Sequence, residues 1–462
     1  MGRAVQQSRE AMSNIPEESN HRLPRRIGIF GHVGNRNLGD EAIIAAVIQN
    51  VRLRDPDAVI SAFTINPRDT KERHGVEAFA IRRVRRTAAS EVLHAEASTA
   101  DRKSVGYLPR ERNIRAFVKN VPLVYPFLKA MRDGVVISRA IAAEFVFLIT
   151  SVRKLKGIDL LIVAGSQQLI DFADGPWRPW GHPYTLFKWS VIAKLMRTKL
   201  AFVSVGAGPI TSSLGRHFIR SAASHAHYQS YRDESSQKLM EQIGVQGSKL
   251  VVPDLVFSLH IAQDGAAAAP SCASPIIGIN PVPFLDPMYW PGSSAEVYDD
   301  YVRKLARFAS WLIENGFAVL FYPTQLRSDP AVIRDIREVM ETNGGIPEGK
   351  IIDWPVESFS DLTSALSMTE IVVATRFHGI IIPYLLRKPV LSIAYHQKTL
   401  DLMSKMGQSE YVVDILSFEI DSLKERFQKL KNRVPQIRAE VEKRLLSCRD
   451  ELDRQYDHLL RL

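Results

Sequence analysis

The sequence has few cysteines that could form covalent cross-links, and its N-terminus lacks the apolar core of a signal peptide. Only two cysteines, Cys272 and Cys448, occur in 462 residues. This number excludes a disulfide framework and a cysteine-ligated zinc ribbon, and it favours a reducing compartment. The N-terminal stretch contains no apolar core of a signal peptide, so we expect residues 1–25 to form a flexible polar leader and the protein to be cytoplasmic.

The sequence also lacks long uninterrupted apolar runs and the familiar nucleotide-binding loops. Its most apolar window, residues 134–151, contains Arg139 and Glu144 and is therefore not predicted to cross a membrane. The first glycine-rich loop, within residues 27–43, has neither G-x-G-x-x-G spacing nor a closing Gly-Lys-Ser/Thr. No group of metal-ligating side chains stands out, so we expect neither a metal nor a cofactor.

The positive charge of the chain is concentrated in one segment. The formal net charge is +10, and residues 80–156 hold 16 Lys and Arg against 6 Asp and Glu, which accounts for the whole excess. A basic run at 82–86 precedes a helical pattern at 114–151. Two interpretations stay open: a helix lying on an anionic membrane surface, or a helical insertion that packs on the main domain. Nucleic acid is not an expected partner, because no binding motif accompanies the charge.

Outside that segment, short β-branched runs alternate with amphipathic stretches, which predicts βαβ units and parallel sheets. We expect two Rossmann-like domains, at 26–262 and 275–418, with the basic helical insertion at about 80–156 in the first. A long charged helix over 419–462 is predicted to close the chain. The predicted strands are 26–30, 159–164, 200–205, 228–231 and 249–252 in the first domain, and 276–280, 318–322, 351–353, 371–374 and 390–393 in the second.

Three candidate binding loops follow strands of the first domain. The loop at 27–43 leads into a helix whose N-terminus could bind an anion, and its Asn37, Asp40 and Glu41 could hold sugar hydroxyls. The plainer alternative is a tight turn capped by Asp40. An Ala-Gly-Ser loop at 164–166 precedes an aromatic segment, 175–184, which could stack on sugar rings or simply pack at a domain edge. Gly206 follows the next strand, where a bare Cα allows close approach of a ligand.

Charged residues also gather at the predicted strand ends. Arg232 and Asp233 follow one strand of the first domain, and a neighbouring Arg–Asp pair of this kind is most often structural. Asp254 follows another strand, next to the interdomain linker. In the second domain Arg376 and His378 lie two residues apart, so an extended backbone would point both the same way. Lys398 follows the next strand. A guanidinium binds carboxylate or phosphate, and an imidazole transfers protons near neutral pH, which favours an anion-binding and acid–base site here.

The order of these motifs resembles the polysaccharide pyruvyl transferase family over about residues 27–415. The motifs are G-x-x-G-N-x-N-x-G-D-E-A, G-A-G, Y-R-D-x-x-S, P-D-x-x-F, R-F-H-G and Y-x-x-K. The resemblance implies a GT-B-like fold with the two domains facing a cleft, acceptor on the first and donor on the second. It implies phosphoenolpyruvate as donor and a pyruvate ketal across two sugar hydroxyls as product. Two departures are the AGSQQ sequence at 164–168, where members commonly have a run of glycines, and the segment 80–156, which has no clear counterpart.

The resemblance also implies roles for individual residues. Arg232 and Arg376 match family arginines that hold the donor's phosphate and carboxylate, and His378 matches the candidate acid/base residue. Lys398 is expected to add a third cation, and Asp254 to activate the acceptor hydroxyl.

The expected partners are therefore phosphoenolpyruvate and a saccharide acceptor, free or lipid-linked. If segment 80–156 binds lipid, we expect the protein to associate with the inner face of the cell membrane. A nucleotide-sugar glycosyltransferase of the same architecture is the main alternative. A non-enzymatic sugar-binding or scaffolding protein is a third.

Overall fold

The computed structural model describes residues 24–83, 124–171, 181–247, 250–261, 274–290 and 292–462, with the backbone alone for 124–137. Almost all of the predicted leader, most of the aromatic segment 175–184 and most of the interdomain linker near 260–275 lie outside the described residues.

The described part of the first half is built on a seven-stranded parallel sheet with strand order β3-β2-β1-β4-β5-β6-β7. The central strands are buried on both faces, which explains their continuous apolar sequences. Two strands of this sheet, β2 and β3, were not predicted. The strands are β1 Arg26–Phe30, β2 Val59–Thr64, β3 Glu77–Ala80, β4 Leu160–Ala164, β5 Lys199–Val205, β6 Tyr228–Tyr231 and β7 Leu250–Val251.

Four of the helices described in this half start where a polar side chain caps them. Asn37, Asn66, Ser212 and Asp233 each accept a hydrogen bond from a backbone N–H of the first turn that follows. The helices are α1 Leu38–Arg54, α2 Pro67–His74, α3 Val124–Leu155, α4 His182–Leu195, α5 Ser213–Ser224 and α6 Glu234–Gln242, followed by a 3₁₀ turn at Leu255–Ser258.

The second half contains a five-stranded parallel sheet with order β12-β11-β10-β8-β9. The predicted strand at 351–353 is not formed: Ile351 makes a single parallel bridge to Val319 at the edge, and Pro355 follows shortly after. The strands are β8 Ile276–Asn280, β9 Ala318–Phe321, β10 Thr369–Ala374, β11 Val390–Ala394 and β12 Val412–Asp414. The helices are α7 Ala295–Glu314, α8 Asp329–Thr342, α9 Phe359–Ser367, α10 Phe377–Leu385 and α11 Gln397–Lys405.

The C-terminal segment is two helices, α12 Ile420–Lys431 and α13 Val434–Leu459, rather than the single helix predicted. Pro435 explains the break, because proline lacks an N–H and its ring clashes with the carbonyl of the preceding turn. Helix α13 then runs back onto the first half. The buried amide of Gln455 accepts from Tyr228 and Ser230 at 3.0 and 2.6 Å and donates to Ser204 at 3.0 Å, which ties the two halves together.

Helix α3 is the described part of the basic segment; residues 84–123 lie outside the description. Its acidic residue Glu144 is buried and pairs with Lys188 and Arg83, both at 3.0 Å. The same helix exposes Ile141, Phe145 and other apolar side chains. Among the described residues, no helix is both long and apolar enough to cross a membrane.

Candidate active site

The carboxyl ends of the strands in both sheets face each other across the junction of the two halves. The loop before α1 meets the loop after β9 directly: the Leu38 N–H donates to Thr324 O at 2.8 Å, and the Leu326 N–H donates to Arg36 O at 2.9 Å. Beside this junction lies a cavity of about 430 Å³. Its charged lining includes Arg232, Asp233, Glu234, Asp254, Lys398, Asp401 and Lys405.

His378 lies at the centre of the junction, in the first turn of α10. Its Nε2 is 3.8 Å from Asp254 Oδ2, too long for a hydrogen bond, and neither atom has a hydrogen-bond partner among the described residues. On the other side of the ring, Nδ1 approaches Gly39 of α1 so closely that a Cβ at residue 39 would overlap the imidazole. The site therefore requires glycine at this position.

Asp254 is buried between the two charged groups that it contacts. Its Oδ1 accepts from the Val256 N–H at 3.1 Å, which caps the 3₁₀ turn, and its Oδ2 lies 3.5 Å from Arg232 Nη1. Burial would raise the pKa of Asp254, but His378 and Arg232 outweigh it and hold this pKa below its ordinary value. Asp254 is therefore a buried carboxylate that stays charged between His378 and Arg232.

Arg232 is held in place from three directions. Its Nε lies 3.2 Å from Asp233 Oδ2, and its guanidinium carbon lies 4.5 Å from the centre of the Phe377 ring. The third contact is with Gly206, where a Cβ would come within 2.6 Å of Arg232 Nη2. The glycine predicted to admit a ligand thus makes room for an arginine at the cavity wall.

Arg376 does not share an extended backbone with His378 as predicted, because β10 ends at Ala374 and α10 begins at Phe377. The Arg376 guanidinium instead binds the fully buried carboxylate of Asp329, and its Nη2 donates to Ser328 at 3.1 Å. The cation is therefore fixed and partly neutralised at the edge of the junction.

Lys398 bridges the two halves from the first turn of α11. Its Nζ donates to Gln167 Oε1 at 3.0 Å and lies 5.8 Å from the centre of the Phe377 ring. Burial, followed by the charges of Arg232 and Arg376, lowers the pKa of Lys398 to about 7. Because this amine lies beside two guanidiniums, an anion in the cavity would stabilise its protonated form.

The glycine-rich loop is organised differently from the prediction. Asn37, not Asp40, caps α1, since its Oδ1 accepts from the Gly39 N–H at 3.0 Å. Glu41 accepts from the Gly34 N–H at 3.0 Å and contacts His74 at 2.7 Å, so its carboxylate is committed to the loop itself. Burial raises the pKa of Asp40, and the neighbouring His378 and Ser166 only partly oppose that rise.

The structure thus brings Arg232, Asp254, His378 and Lys398 together, with Arg376 and Asp40 beside them. Sequence reasoning missed Gly39, Gln167, Phe377 and Asp329, although the first three belong to motifs that it quoted. No group of three or more metal-ligating side chains occurs within the described ranges.

A family model described as polysaccharide pyruvyl transferase matches residues 37–397 of the chain. No curated protein sequence matches it. Among solved structures, a glycosyltransferase from Rickettsia africae is similar at 11% identity and TM-score 0.52, with 95% of this chain and 99% of that chain covered. A putative UDP-N-acetylglucosamine 2-epimerase from Listeria monocytogenes is similar at 9% identity and TM-score 0.51, with 90% of each chain covered. These likenesses confirm the GT-B-like fold with its two parallel-sheet α/β domains.

The contact between Gly39 and His378 predicts that the effect of Gly39→Ala on the free energy of unfolding depends on whether the imidazole of His378 is present. Gly39→Ala should destabilise the protein by about 1–3 kcal/mol, because the new Cβ overlaps the imidazole. In a His378→Ala background the same change should be neutral or stabilising by up to about 1 kcal/mol, since alanine is the better helix former. Urea unfolding of the four proteins measures both values. Equal costs in the two backgrounds would contradict the described contact.

Proposed function

The chain belongs to the polysaccharide pyruvyl transferase family, and we propose that it moves the enolpyruvyl group of phosphoenolpyruvate onto two hydroxyls of a sugar. The product is a pyruvate ketal on a polysaccharide or its precursor, and inorganic phosphate is released. The observation that carries this proposal is the grouping of Arg232, Lys398 and Asp254 in the lining of one interdomain cavity, with His378 Nε2 3.8 Å from Asp254.

The charges around the cavity support an anionic donor. Phosphoenolpyruvate carries a phosphate and a carboxylate, which need at least two cations. We assign them to Arg232 and Lys398, which line the cavity, with Arg376 contributing positive charge from its edge. An arginine fork suits either anionic group, and lysine supplies a point charge. In this proposal the protein needs no cofactor, because the cations neutralise the donor.

The reaction requires one acid and the removal of two hydroxyl protons. A proton is added to the methylene carbon of the donor, one sugar hydroxyl bonds to C2, the C2–O bond to phosphate breaks, and the second hydroxyl bonds to C2. We assign His378 to proton donation, with the Asp254 carboxylate 3.8 Å from its Nε2. The methyl group thereby gains its third hydrogen, and phosphate leaves with the electrons of the broken bond.

The first half of the chain is the proposed acceptor side. The AGSQQ loop after β4 places Ser166 beside Asp40, and Gln167 between Lys398 and the carbonyl of Gly208. In this loop Ser166, Gln167 and Gln168 occupy positions where members of the family commonly have glycine. We infer that their side chains shape the acceptor pocket for one sugar. A lipid-linked oligosaccharide precursor at the inner membrane face is the proposed form of that acceptor.

Membrane contact through α3 is supported by one face of the helix. Ile141, Phe145, Val146 and Ile149 are 56, 64, 60 and 41% exposed, and the first, second and fourth recur at intervals of four residues. Glu144, the only acid between 138 and 156, is turned inward into its ion pairs. The outer face therefore offers apolar side chains and basic residues without acid, which complements an anionic lipid surface.

Phosphoenolpyruvate should raise the melting temperature of the purified protein, whereas nucleotide sugars should not. His378→Ala should lower the rate of phosphate release by about 10²–10⁴-fold, because an acid in position contributes that much, while the shift in melting temperature persists. Stabilisation by nucleotide sugars alone would favour the glycosyltransferase alternative. Near-normal turnover would remove His378 from the mechanism.

The affinity for phosphoenolpyruvate should depend on the charge of Lys398. With a pKa of about 7, the amine is protonated below neutral pH and attracts the donor, and affinity should begin to fall as the pH rises above 7. At pH 6 the Lys398→Met variant should bind about tenfold or more weakly than wild type. The donor itself also titrates with pH. Dividing the dissociation constant of Lys398→Met by that of wild type at each pH cancels this effect. Lys443→Met, on the exposed face of α13, is the control, and a ratio that does not change with pH would contradict the assignment.

The α3 surface predicts selective binding to anionic membranes. The full-length protein should sediment with vesicles that contain phosphatidylglycerol, and the double change Phe145→Ser and Ile149→Ser should abolish this. The matched control is Leu416→Ser with Leu446→Ser, since these side chains are 64 and 54% exposed elsewhere. Unchanged sedimentation of the α3 variant, or an equal loss in the control variant, would contradict membrane contact.

A further inference from the structure

A pair of hydrogen-bonded histidines lies outside the catalytic group described above. His32 follows β1 by two residues, and its Nε2 lies 2.8 Å from Nδ1 of His182, the first residue of α4. The Nε2 of His182 lies 2.6 Å from the backbone carbonyl oxygen of Gln168. The three groups form a chain that begins at the carboxyl end of β1.

The chain fixes which nitrogen of each ring carries hydrogen. A carbonyl oxygen only accepts, so His182 Nε2 must carry the proton and donate it to Gln168 O. In the neutral ring His182 Nδ1 is then an acceptor, and His32 Nε2 must be the donor. In the neutral ring the Nδ1 of His32 is then left as an acceptor. His32 is thereby held as an oriented hydrogen-bond acceptor.

The position of the pair within the sheet points to a ligand. In the order β3-β2-β1-β4-β5-β6-β7, the direction of winding reverses between β1 and β4. Ligands of open parallel sheets bind in the crevice at such a reversal. His32 follows β1 and Gln168 follows β4, so the two residues flank this crevice.

Gln168 supplies a second, independent observation. Its side chain is fully buried, and neither its Oε1 nor its Nε2 has a hydrogen-bond partner among the described residues. Its Nε2 lies near Gly31, the chain neighbour of His32. Unpaired buried amide atoms are costly, so a polar partner is expected at this crevice.

We propose that His32 is the base that removes a proton from an acceptor hydroxyl, with His182 as the positioning residue that sets its tautomer. This inference rests on the proposed pyruvyl transfer. As the sugar oxygen bonds to C2 of the donor, its O–H proton passes to His32 Nδ1, and the proton then leaves to water.

The surroundings keep His32 in its neutral form, with Nδ1 unprotonated. Burial, then the nearby His182 and Arg82, lower the pKa of His32 well below its ordinary value. The ring is therefore neutral in the free enzyme near neutral pH. A base is also needed on this side, because Asp254 is occupied by His378 and Arg232.

The tautomer is tested on the free protein by nitrogen-15 NMR of histidine-labelled material, with His32→Gln used to assign the signals. We expect a neutral ring with hydrogen on Nε2 at pH 6.5, where an ordinary imidazole is half protonated. His182→Ala should alter this signal, and His182→Gln, which can both accept and donate, should largely restore it. A protonated His32, or hydrogen on Nδ1, would overturn the proposal whatever the donor or acceptor proves to be.

The role in turnover is tested by phosphate release from phosphoenolpyruvate with methyl glycosides of galactose, glucose and mannose. His32→Gln should lower kcat by about 10²-fold or more, with the KM for phosphoenolpyruvate within about twofold of wild type. His217→Gln, an exposed histidine on α5, is the control and should be unchanged. A kcat for His32→Gln close to wild type would overturn the proposal. If wild type releases no phosphate with any donor–acceptor pair, the proposed function fails, and the NMR result still decides the state of His32.

Discussion

The imidazole of His378 occupies the space that a side chain at residue 39 would fill, and the two halves of the molecule meet around this contact. One edge of the ring approaches the first turn of α1, and the other faces Asp254, 3.8 Å away. Asp254 in turn lies 3.5 Å from Arg232, which fills the space left by Gly206. Two glycines of the first half therefore admit two functional side chains, and a bulkier residue at either position would displace the group it faces.

The electrostatics of the junction follow from this close packing. Three cations come from separate strand ends, and the carboxylates nearest to them are already engaged: Asp233 and Asp254 with Arg232, and Asp329 with Arg376. Within the described residues the side-chain amine of Lys398 has the neutral amide of Gln167 as its hydrogen-bond partner and no carboxylate. Its lowered pKa is the consequence, because a buried amine without a paired carboxylate loses its proton more easily. An anion entering the cavity would relieve that cost, which links the packing of the fold to donor binding.

Local sequence patterns were enough to predict the sheets and most of the site. Apolar β-branched runs marked the central strands, and since the carboxyl ends of parallel strands share one edge, Arg232 and Asp254 could be expected at the edge of one sheet and His378 and Lys398 at the edge of the other. Of the strands that were missed, β3 and β12 are short and lie at sheet edges, whereas β2 has six residues and lies inside β3. The break before α13 could have been predicted from Pro435, but the prediction of a single C-terminal helix did not take this proline into account.

Contacts between distant parts of the chain could not be predicted in this way. Asp329 is 47 residues from Arg376, and His182 is 150 residues from His32, so no local spacing connects either pair. The capping of α1 by Asn37 rather than Asp40 depends on where the loop meets Thr324 in the other half. The glycine at 39 stood within a quoted motif, yet its reason, the ring of His378, appears only when the two halves are placed together.

The central claim is that the carbon skeleton of phosphoenolpyruvate is transferred intact to two hydroxyls of one sugar. Incubating the full-length protein with phosphoenolpyruvate labelled with carbon-13 at C2 and lipid-linked oligosaccharides from the source cell tests it directly. We predict that the label appears as a ketal carbon in the saccharide, with one phosphate released for each ketal formed. Label recovered only as free pyruvate, or unchanged donor while a nucleotide sugar is consumed, would contradict the account.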